Sequence, residues 1–333
     1  MYKMLKIGVL GTGHLGKIHL KCIQLAKDAY ELVGFYDPND EAAQRAIESY
    51  GVQRFDTLEN LLAAVDVVDI VTPTVTHFEV AKQAIEAGKH LFIEKPLTRT
   101  IAEAEQLVEL SKKYGVKVQV GHVERFNPAL LALEDIVLNP MFIEAHRLAV
   151  FNPRGTDVSV ILDLMIHDLD IVLSMVKSPV KFISASGVAV ASDSPDIANA
   201  RLEFENGCVA NLTASRISLK QMRKVRFFQR DAYISLDFLD KQAQIVRLFD
   251  EDAPNLPEGA GMMELETNRG KKLIHAYMPE IEPVNAIRME LETFAESIEK
   301  DITPKVPIED GYTALKVAHQ IIEEIEKRIS VLS

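Results

Sequence analysis

The sequence contains no tryptophan and only two cysteines, Cys22 and Cys208, among its 333 residues. No CxxC spacing occurs, so a disulfide framework and a cysteine-based zinc site are both disfavoured. No apolar run approaches the roughly 20 residues that a membrane-spanning helix needs. The N-terminus runs directly into a strand and a glycine turn, without the apolar region and cleavage site of a signal peptide. We therefore expect a cytoplasmic protein with no membrane partner.

An excess of positive charge is also absent, since the formal net charge is −12. This acidic balance argues against a general nucleic-acid binder. One segment is nevertheless basic: RISLKQMRKVRFFQR, residues 216–230, contains six basic residues and no acidic one. This basic run could bind an anionic ligand, or it could face water or a neighbouring subunit.

Short apolar runs alternate with helical patterns over residues 1–121. Five runs rich in β-branched residues have the length of strands, and the segments between them carry apolar residues at helical spacing. This alternation predicts βαβ units and hence a doubly wound parallel sheet. The strand-like runs are LKIGVLG, ELVGFYD, VDVVDIVTP, KHLFIEKP and VKVQVGH.

The pattern changes after residue 121. A helical segment is followed by several strand-like runs, and Asn206-Gly207 between two of them is a strong hairpin signal because both residues tolerate positive φ. Hairpin-linked strands predict an antiparallel sheet, and two helices close the chain. Residues 251–272 are acidic and aperiodic, which favours a surface loop. The predicted fold is thus an α/β domain at residues 1–121 and an α+β domain at residues 122–333, whose C-terminal helices could pack back near the first domain.

The segment IGVLGTGHLGKIH places Gly11, Gly13 and Gly16 between the first strand and the first helix. The first glycine allows a tight turn, the second lets the backbone approach a pyrophosphate, and the third lets helix and strand pack closely. The free N–H groups and the dipole of the helix N-terminus then favour the diphosphate. We therefore predict a dinucleotide site that includes His14 and Leu15 of the turn, although such glycines could also simply shape a loop.

Asp37 ends the second predicted strand, 21 residues after Gly16, which is near the spacing expected of a ribose-binding acid. Its carboxylate would accept hydrogen bonds from the adenosine ribose and would repel a 2′-phosphate. No arginine in the following segment DPNDEA would neutralise such a phosphate. The sequence therefore favours NAD over NADP; the alternative is that Asp37 only begins a loop.

A second set of motifs lies in TPTVTHFEVAKQAIEAGKHLFIEKP. Together with the glycine turn, this stretch resembles the Gfo/Idh/MocA family of NAD(P)-dependent sugar and cyclitol oxidoreductases. The resemblance covers nearly the whole chain. It implies a Rossmann domain followed by an open, mostly antiparallel sheet domain that carries the substrate and often forms homodimers or homotetramers. The matching residues are Thr72, Pro73, His77, Gly88, Lys89, His90, Glu94, Lys95 and Pro96, of which Thr72, Pro73, His77, Glu94 and Lys95 are expected at the cofactor.

The resemblance also implies that Lys95 lies between the nicotinamide and the substrate. Ligands of a doubly wound sheet bind beyond the carboxyl ends of its strands, and the run HLFI ends there. Pro96 has no N–H and a fixed φ, so it ends the strand and stiffens the turn. Without the resemblance, Glu94-Lys95 would be an ordinary ion pair of a surface loop. The role of Glu94 stays open: it could tether the lysine, touch the nicotinamide ribose, or do neither.

Asp163 and His167 lie four residues apart in LDLMIHDLDIV, so on a helix they share one face. They match the Asp-x-x-x-His pair of the family's active-site helix. The resemblance makes His167 the general base, a role that suits an imidazole with an ordinary pKa of about 6.5. Asp163 would contact the substrate or hold Lys95 and His167. Lys95 would hydrogen-bond the reacting oxygen and stabilise the negative charge that develops there.

Two other interpretations of this helix remain open. Asp163, His167 and Asp170 could bind a metal, but no HExxH motif or cysteine set supports this, so we predict no metal site. His167 could also be a polar helix residue without a chemical role. Asp168 is turned about 100° from His167 on a helix and is expected to be peripheral.

The element GHVERFNP follows the fifth predicted strand. With the segment around Asp163, it looks like the branch of the family that contains UDP-N-acetylglucosamine 3-dehydrogenases. A UDP-sugar carries a diphosphate, which needs cations or N–H donors, and Arg125, Arg147, Arg154 and the basic run are candidates for this role. The predicted substrate-binding residues are His122, Arg125, Asn127, Arg154, Asp163 and His167.

The leading hypothesis is an NAD-dependent dehydrogenase that oxidises a secondary hydroxyl of a sugar, with C3 of a UDP-N-acetylhexosamine as the favoured position. An alternative enzyme would act on a free sugar, inositol or a dihydrodiol. An alternative of another class is a sensor that binds cofactor and sugar without reacting; such a sensor could lose Lys95, Asp163 and His167, and this sequence keeps all three.

Overall fold

The computed structural model describes residues 4–151, 158–250, 262–268 and 270–332. The chain divides by packing into two compact units. The first comprises Met1–Phe126 and Asn285–Lys316, and the second comprises Asn127–Val284 and Val317–Ser333.

The first unit contains a five-stranded parallel sheet, as the alternating pattern predicts. Its strands are β1 (Leu5–Leu10), β2 (Tyr30–Tyr36), β3 (Val67–Ile70), β4 (His90–Glu94) and β5 (Val118–Gly121), in the order β2-β1-β3-β4-β5. Every residue of β3 is buried, which fits a sheet covered on both faces. This strand order reverses at β1, and open α/β sheets bind ligands at the carboxyl side of such a switch point.

The described helices begin and end largely where local signals predict. They are α1 (His14–Leu25), α2 (Asp40–Tyr50), α3 (Leu58–Ala64), α4 (Thr74–Glu86), α5 (Ile101–Tyr114), α6 (Pro128–Leu131), α7 (Ile166–Met175), α8 (Ala286–Glu299) and α9 (Ile308–Leu332). Helix α5 shows the local causes well: Thr100 and Glu103 form a capping box at its start, and Gly115 adopts the left-handed conformation at its end.

The second unit contains a nine-stranded, mostly antiparallel sheet, as predicted. Its strands are β6 (Phe142–Leu148), β7 (Val180–Val188), β8 (Ile197–Phe204), β9 (Val209–Ser215), β10 (Met222–Phe228), β11 (Ala232–Asp237), β12 (Gln242–Asp250), β13 (Met262–Thr267) and β14 (Gly270–Tyr277). They follow the order β13-β14-β12-β11-β10-β6-β9-β8-β7, and only the β6–β9 pair is parallel among these described strands. Asn206-Gly207 forms the predicted hairpin between β8 and β9, with φ of 86° at Gly207.

One predicted loop is wrong. Residues 251–272 were expected to be aperiodic surface chain, but β13 and the start of β14 lie within this range and pair with each other. Strand β13 is at the edge of the sheet and most of its residues are exposed, so it lacks the apolar alternation that marks a half-buried strand. The remainder of the predicted loop, residues 251–261, lies outside the described residues.

The division by packing differs from the expected boundary after residue 121 in two places. Residues 122–126 and the segment 285–316 both belong to the first unit. Helix α8 contributes Leu291 and Phe294 to the core of that unit, and the Tyr30 hydroxyl donates a hydrogen bond to the Leu291 carbonyl at 2.9 Å. A return of the C-terminal helices towards the first domain was among the expectations, but the core residues that α8 supplies carried no signal in the sequence.

Cys22 and Cys208 are both free and buried. Burial raises the pKa of the Cys208 thiol to about 11, which makes it a poor nucleophile at neutral pH. Within the described ranges, no cluster of three or more histidine, cysteine and carboxylate side chains could hold a metal ion. Among the helices described above, none is long and apolar enough to cross a membrane.

Candidate active site

The glycine turn joins β1 to α1, and its three glycines have different environments. Gly11 has φ of +91°, and a Cβ atom there would lie 2.9 Å from the Val71 carbonyl oxygen. A Cβ atom on Gly16 would lie only 2.1 Å from the Gly11 carbonyl oxygen, so the turn and α1 can pack only with glycine at this position. A Cβ atom on Gly13 would meet no atom within 4 Å. The turn therefore leaves open space at Gly13, where a dinucleotide diphosphate can approach the backbone.

Asp37 lies directly after β2, and its carboxylate holds the glycine turn. Its Oδ2 atom accepts hydrogen bonds from the Thr12 N–H at 2.7 Å and the Thr12 hydroxyl at 2.8 Å. Its Oδ1 atom accepts the Asn39 N–H at 2.8 Å. The predicted ribose-binding acid thus also fixes the turn, a role that the sequence pattern did not reveal because Thr12 carries no motif signal.

An arginine does lie beside Asp37, although it is outside the segment DPNDEA that follows β2. Arg54 donates a hydrogen bond to the Asp37 carbonyl oxygen at 2.9 Å and forms an ion pair with Asp40 at 2.8 Å. A β-bridge between Phe35 of β2 and Arg54 brings the segment around Arg54 to the edge of the sheet. Since Asp40 opposes the charge of Arg54, the local electrostatics still favour NAD over NADP.

The remaining predicted cofactor residues lie on, or next to, the turns that follow β1, β3 and β4. His14 is exposed at the first position of α1, and Leu15 is half-buried beside it. Thr72 and Pro73 connect β3 to α4, and the Thr76 hydroxyl donates hydrogen bonds to the Thr72 hydroxyl and the Pro73 carbonyl, both at 2.8 Å.

His77 was predicted to contact the cofactor, but its ring is only 1% exposed. Its Nδ1 atom lies 3.1 Å from the Pro96 carbonyl oxygen and its Nε2 atom 2.9 Å from the Thr72 carbonyl oxygen. Burial lowers the pKa of His77, although these carbonyl groups act in the opposite direction. The geometry favours a link between the turns after β3 and β4 over a direct polar contact with a cofactor.

Lys95 follows β4 on the turn predicted to carry the chemistry, and its side chain is half-buried. The Lys95 N–H donates a hydrogen bond to Glu94 Oε2 at 3.1 Å, and the Lys95–Pro96 peptide bond is cis. Glu94 therefore tethers the backbone of the lysine, which was one of the roles left open for it. Its other carboxylate oxygen faces His19, a residue that the sequence reasoning did not single out.

Asp163 and His167 belong to the second unit, where both are half-buried. Asp163 lies in a π-helical turn, Ile161–Met165, and His167 lies in the first turn of α7. A single π-helical turn within a helix often marks a functional site. The predicted regular helix is thus interrupted between the two residues, a feature that apolar periodicity cannot reveal.

Asp168 is not peripheral, and its partner is one of the candidate diphosphate ligands. Asp168 is 2% exposed and pairs with Arg147 of β6, whose Nη2 atom lies 2.8 Å from Asp168 Oδ1. Since the Arg147 guanidinium is buried in this pair, the geometry disfavours it as a diphosphate ligand. Asp170, the third residue of the metal interpretation, is also buried.

The other predicted substrate residues have mixed environments. His122 is 1% exposed in the first unit, where Arg125 pairs with Asp310 at 2.9 Å. Asn127, in the second unit, caps α6 through its side-chain oxygen and donates its amide to the Phe238 carbonyl at 3.0 Å. Arg154 lies outside the described residues.

Cations of the basic run also have partners within the second unit. Arg226 pairs with Glu144 across two strands at 2.8 Å. Arg216 is 4% exposed, donates to the Val158 carbonyl, and lies 3.9 Å from Asp196. These contacts favour the interpretation of these two arginines as structural cations of the sheet.

Asp196 is fully buried beside Arg216 and closes the loop after β7. Burial acts to raise the pKa of Asp196, but hydrogen bonds from the Ser192 hydroxyl and from the N–H groups of Val190, Ala191 and Ser192 hold it well below its ordinary value. The carboxylate therefore stays ionised throughout the neutral range.

Comparison with known proteins identifies the family. Residues 5–122 match the model described as an oxidoreductase family with an NAD-binding Rossmann fold, and residues 145–232 match the GFO/IDH/MocA C-terminal domain. The chain belongs to the Gfo/Idh/MocA oxidoreductase family. Residues 5–122 of its first unit are the NAD-binding Rossmann domain of this family, and the chain is an oxidoreductase.

Three Gfo/Idh/MocA relatives illustrate the similarity. UDP-N-acetylglucosamine 3-dehydrogenase of Acidithiobacillus ferrooxidans is 39% identical over 76% of this chain and 80% of that enzyme. A solved structure of that enzyme has a TM-score of 0.87, with 34% identity over 98% of each chain. Myo-inositol 2-dehydrogenase of Thermotoga maritima is 25% identical over 98% of each chain. The scyllo-inositol 2-dehydrogenase (NAD(+)) of Bacillus subtilis is 28% identical over 66% of this chain and 69% of that enzyme.

Proposed function

We propose that this chain is an NAD-dependent dehydrogenase that oxidises a secondary hydroxyl of a sugar, and that its substrate is a UDP-N-acetylhexosamine oxidised at C3. The observation that carries the proposal is the Lys95 turn at the carboxyl end of β4, in a chain that is 39% identical to a UDP-N-acetylglucosamine 3-dehydrogenase. A lysine held by its backbone at this edge of a doubly wound sheet is suited to polarise a reacting oxygen.

The residues of the glycine turn fit a bound dinucleotide. The open space at Gly13 and the N–H groups of the first turn of α1 would receive the diphosphate, and Asp37 would receive the ribose. When bound, NAD⁺ supplies the acceptor for the hydride that leaves the substrate carbon.

The chain's own residues would handle the proton and the developing charge. The hydroxyl proton passes to His167, and the C–H hydride leaves with its electron pair, so that the alcohol becomes a ketone. Lys95 donates a hydrogen bond to the oxygen as it gains negative charge. Asp163 contacts the substrate or holds the two other residues. Removal of Lys95 should therefore affect turnover more than cofactor affinity.

Ligand screening tests the substrate class first. Thermal unfolding is measured with NAD⁺ alone and then with UDP-N-acetylglucosamine, UDP-glucose, myo-inositol or N-acetylglucosamine added. We expect stabilisation by the UDP-sugars, since a ligand that binds only the folded chain raises its melting temperature. Stabilisation by inositol alone would favour the alternative that the inositol dehydrogenase relatives support. Binding without NADH formation would favour the sensor.

The catalytic assignment is tested with Lys95→Ala and a matched control, Lys27→Ala, which removes an exposed lysine of the same unit. We expect Lys95→Ala to lower kcat by about 10²- to 10³-fold, while NAD⁺ affinity stays close to that of the control. Near-normal turnover of Lys95→Ala on the true substrate would refute the role of Lys95.

The homodimer or homotetramer remains a prediction. Light scattering coupled to size-exclusion chromatography measures the number of subunits.

A further inference from the structure

A buried chain of three ionisable side chains links α1 to the strands β3 and β4. His19 of α1 lies between Asp69 of β3 and Glu94 at the end of β4. Its Nδ1 atom is 2.9 Å from Asp69 Oδ2, and its Nε2 atom is 3.3 Å from Glu94 Oε1. His19 and Asp69 are fully buried, and Glu94 is 9% exposed. The proposed reaction uses neither His19 nor Asp69, so their burial needs another explanation.

The geometry favours a positive charge on His19, since each of its ring nitrogens faces a carboxylate oxygen. A neutral imidazole has one N–H group, so one of the two carboxylates would face a ring lone pair. A doubly protonated ring donates from Nδ1 to Asp69 and presents its second N–H to Glu94 at ion-pair distance, which leaves a single net negative charge among the three groups. Burial alone would lower the pKa of His19, but Asp69 and Glu94 together raise it well above its ordinary value.

The surroundings of the ring support this charge state. Four neighbouring groups add no positive charge at neutral pH: the Phe92 ring lies edge-on at 5.6 Å, the Tyr30 hydroxyl donates to a backbone carbonyl, burial raises the pKa of the Cys22 thiol on the same helix, and burial lowers the pKa of His77 near Glu94. Burial also raises the pKa of the Asp69 carboxyl, against the effect of His19. As pH falls, protonation of Asp69 is therefore the first event that weakens the ion pair between His19 and Asp69.

The charge acts on the Lys95 turn through Glu94. Glu94 uses Oε1 towards His19 and Oε2 to accept the Lys95 N–H at 3.1 Å. The same carboxylate also packs directly on β5: a Cβ atom on Gly121 would lie only 2.8 Å from Glu94 Oε1. The carboxylate is thus held by contacts with His19, Gly121 and the Lys95 backbone.

We propose that His19 is an imidazolium that fixes Glu94 beneath the Lys95 backbone, and thereby acts as a positioning residue for Lys95. Because α1 also begins at the glycine turn, the same residue couples the dinucleotide-binding helix to the lysine turn. The chemical consequence rests on the proposed function of Lys95; the charge state and the tether do not.

The first test measures the charge on His19 in the unmodified protein. Nitrogen-15 NMR of the histidine rings distinguishes an imidazolium from either neutral tautomer, and His19→Gln identifies the resonance. We expect His19 to be doubly protonated throughout about pH 6 to 8, where an unperturbed histidine titrates. A neutral His19 ring at neutral pH overturns the proposal, whatever the substrate of the enzyme is.

The second test measures the tether. Glu94→Gln keeps the size of the side chain, but it removes the negative charge and replaces one of the two oxygens that face His19 and the Lys95 N–H with an NH₂ donor. We expect hydrogen exchange at the Lys95 amide to accelerate about tenfold or more in Glu94→Gln and in His19→Gln. The matched control is Glu103→Gln, since Glu103 also accepts a local backbone N–H, from Thr100 at 2.9 Å. Unchanged exchange in both variants relative to this control overturns the proposal.

Kinetics then separate positioning from cofactor binding. We expect His19→Gln to lower kcat by about 10²-fold, as a small displacement of a catalytic group does, with NAD⁺ affinity within about threefold of Glu103→Gln. Glu94→Gln should lower kcat to a similar degree, but only His19→Gln serves for the comparison of NAD⁺ affinity because Glu94 is itself expected at the cofactor. A loss confined to NAD⁺ affinity would overturn the coupling to Lys95. If no sugar is turned over, the proposed function fails, and the NMR and exchange measurements still decide the state of His19.

Discussion

The different environments of Gly13 and Gly16 predict opposite consequences for the same substitution. Alanine at Gly16 would place a carbon 2.1 Å from the Gly11 carbonyl oxygen, and both atoms belong to the backbone frame of the turn. A normal contact needs a separation of about 3 Å or more, so α1 and the turn must move apart by about 1 Å. Alanine at Gly13 meets no protein atom within 4 Å, and φ of −61° at this residue is accessible to alanine.

The expected magnitudes follow from these contacts. Gly16→Ala should lower the free energy of unfolding by about 1–3 kcal/mol, the usual cost of forcing atoms into packed structure. Gly13→Ala should change it by less than about 0.5 kcal/mol. Its methyl group instead occupies the space at which the diphosphate approaches, and loss of one charge-assisted hydrogen bond there weakens NAD⁺ binding by about 10- to 100-fold.

Two measurements check the pair. Urea denaturation without ligand gives the free energy of unfolding of each variant, and isothermal titration calorimetry gives the Kd for NAD⁺. A Gly13→Ala variant that binds NAD⁺ as the unmodified chain does would refute the placement of the diphosphate at this residue. A Gly16→Ala variant of undiminished stability would refute the packing argument. Equal loss of stability in both variants would show that the turn is not open at Gly13.

Three further outcomes are expected. Arg147→Met should lower the free energy of unfolding in urea by about 3–5 kcal/mol because it leaves Asp168 buried without its cation. The double variant Arg147→Met/Asp168→Leu should lose less stability than Arg147→Met alone. An equal loss of stability in the two variants would contradict this reasoning. Asp196→Asn should be less stable than the unmodified chain at neutral pH. Because the carboxyl pKa is depressed in the folded state, the difference in free energy of unfolding between the two proteins should shrink as pH falls below about 4. A difference that stays constant on acidification would exclude this carboxylate as its source. Asp40→Asn should strengthen NADP⁺ binding by about two- to fivefold because it releases Arg54 from its exposed ion pair. Calorimetric titration should show the Kd for NAD⁺ unchanged. Unchanged NADP⁺ binding would place Arg54 away from the 2′ position.

The features that could be predicted from sequence are those with strong local causes. The five parallel strands are short β-branched runs between helical patterns, and the antiparallel hairpin is marked by Asn206-Gly207. The glycine turn and the lysine turn were visible because their residues lie close together in sequence. The family resemblance depended on the same short motifs, and the family models confirm it.

The features that were missed depend on residues that are distant in sequence. Arg54 reaches Asp37 only through strand pairing, and His19 reaches Glu94 only because α1 packs on the sheet. Neither contact leaves a periodic signal. Strand β13 was missed for the opposite reason: an exposed edge strand has little apolar surface to bury, so its sequence resembles that of a loop.

The return of α8 to the first unit affects how the protein can be synthesised. Leu291 and Phe294 belong to the same core as Ile7, Val9 and Phe92, although nearly the whole second unit is translated between these two groups. The nascent Rossmann domain therefore leaves the ribosome with part of its core uncovered, and it cannot complete that core until residue 294 has emerged. A fragment that ends at the first apparent domain boundary would lack these side chains, so we expect it to expose apolar surface and to aggregate.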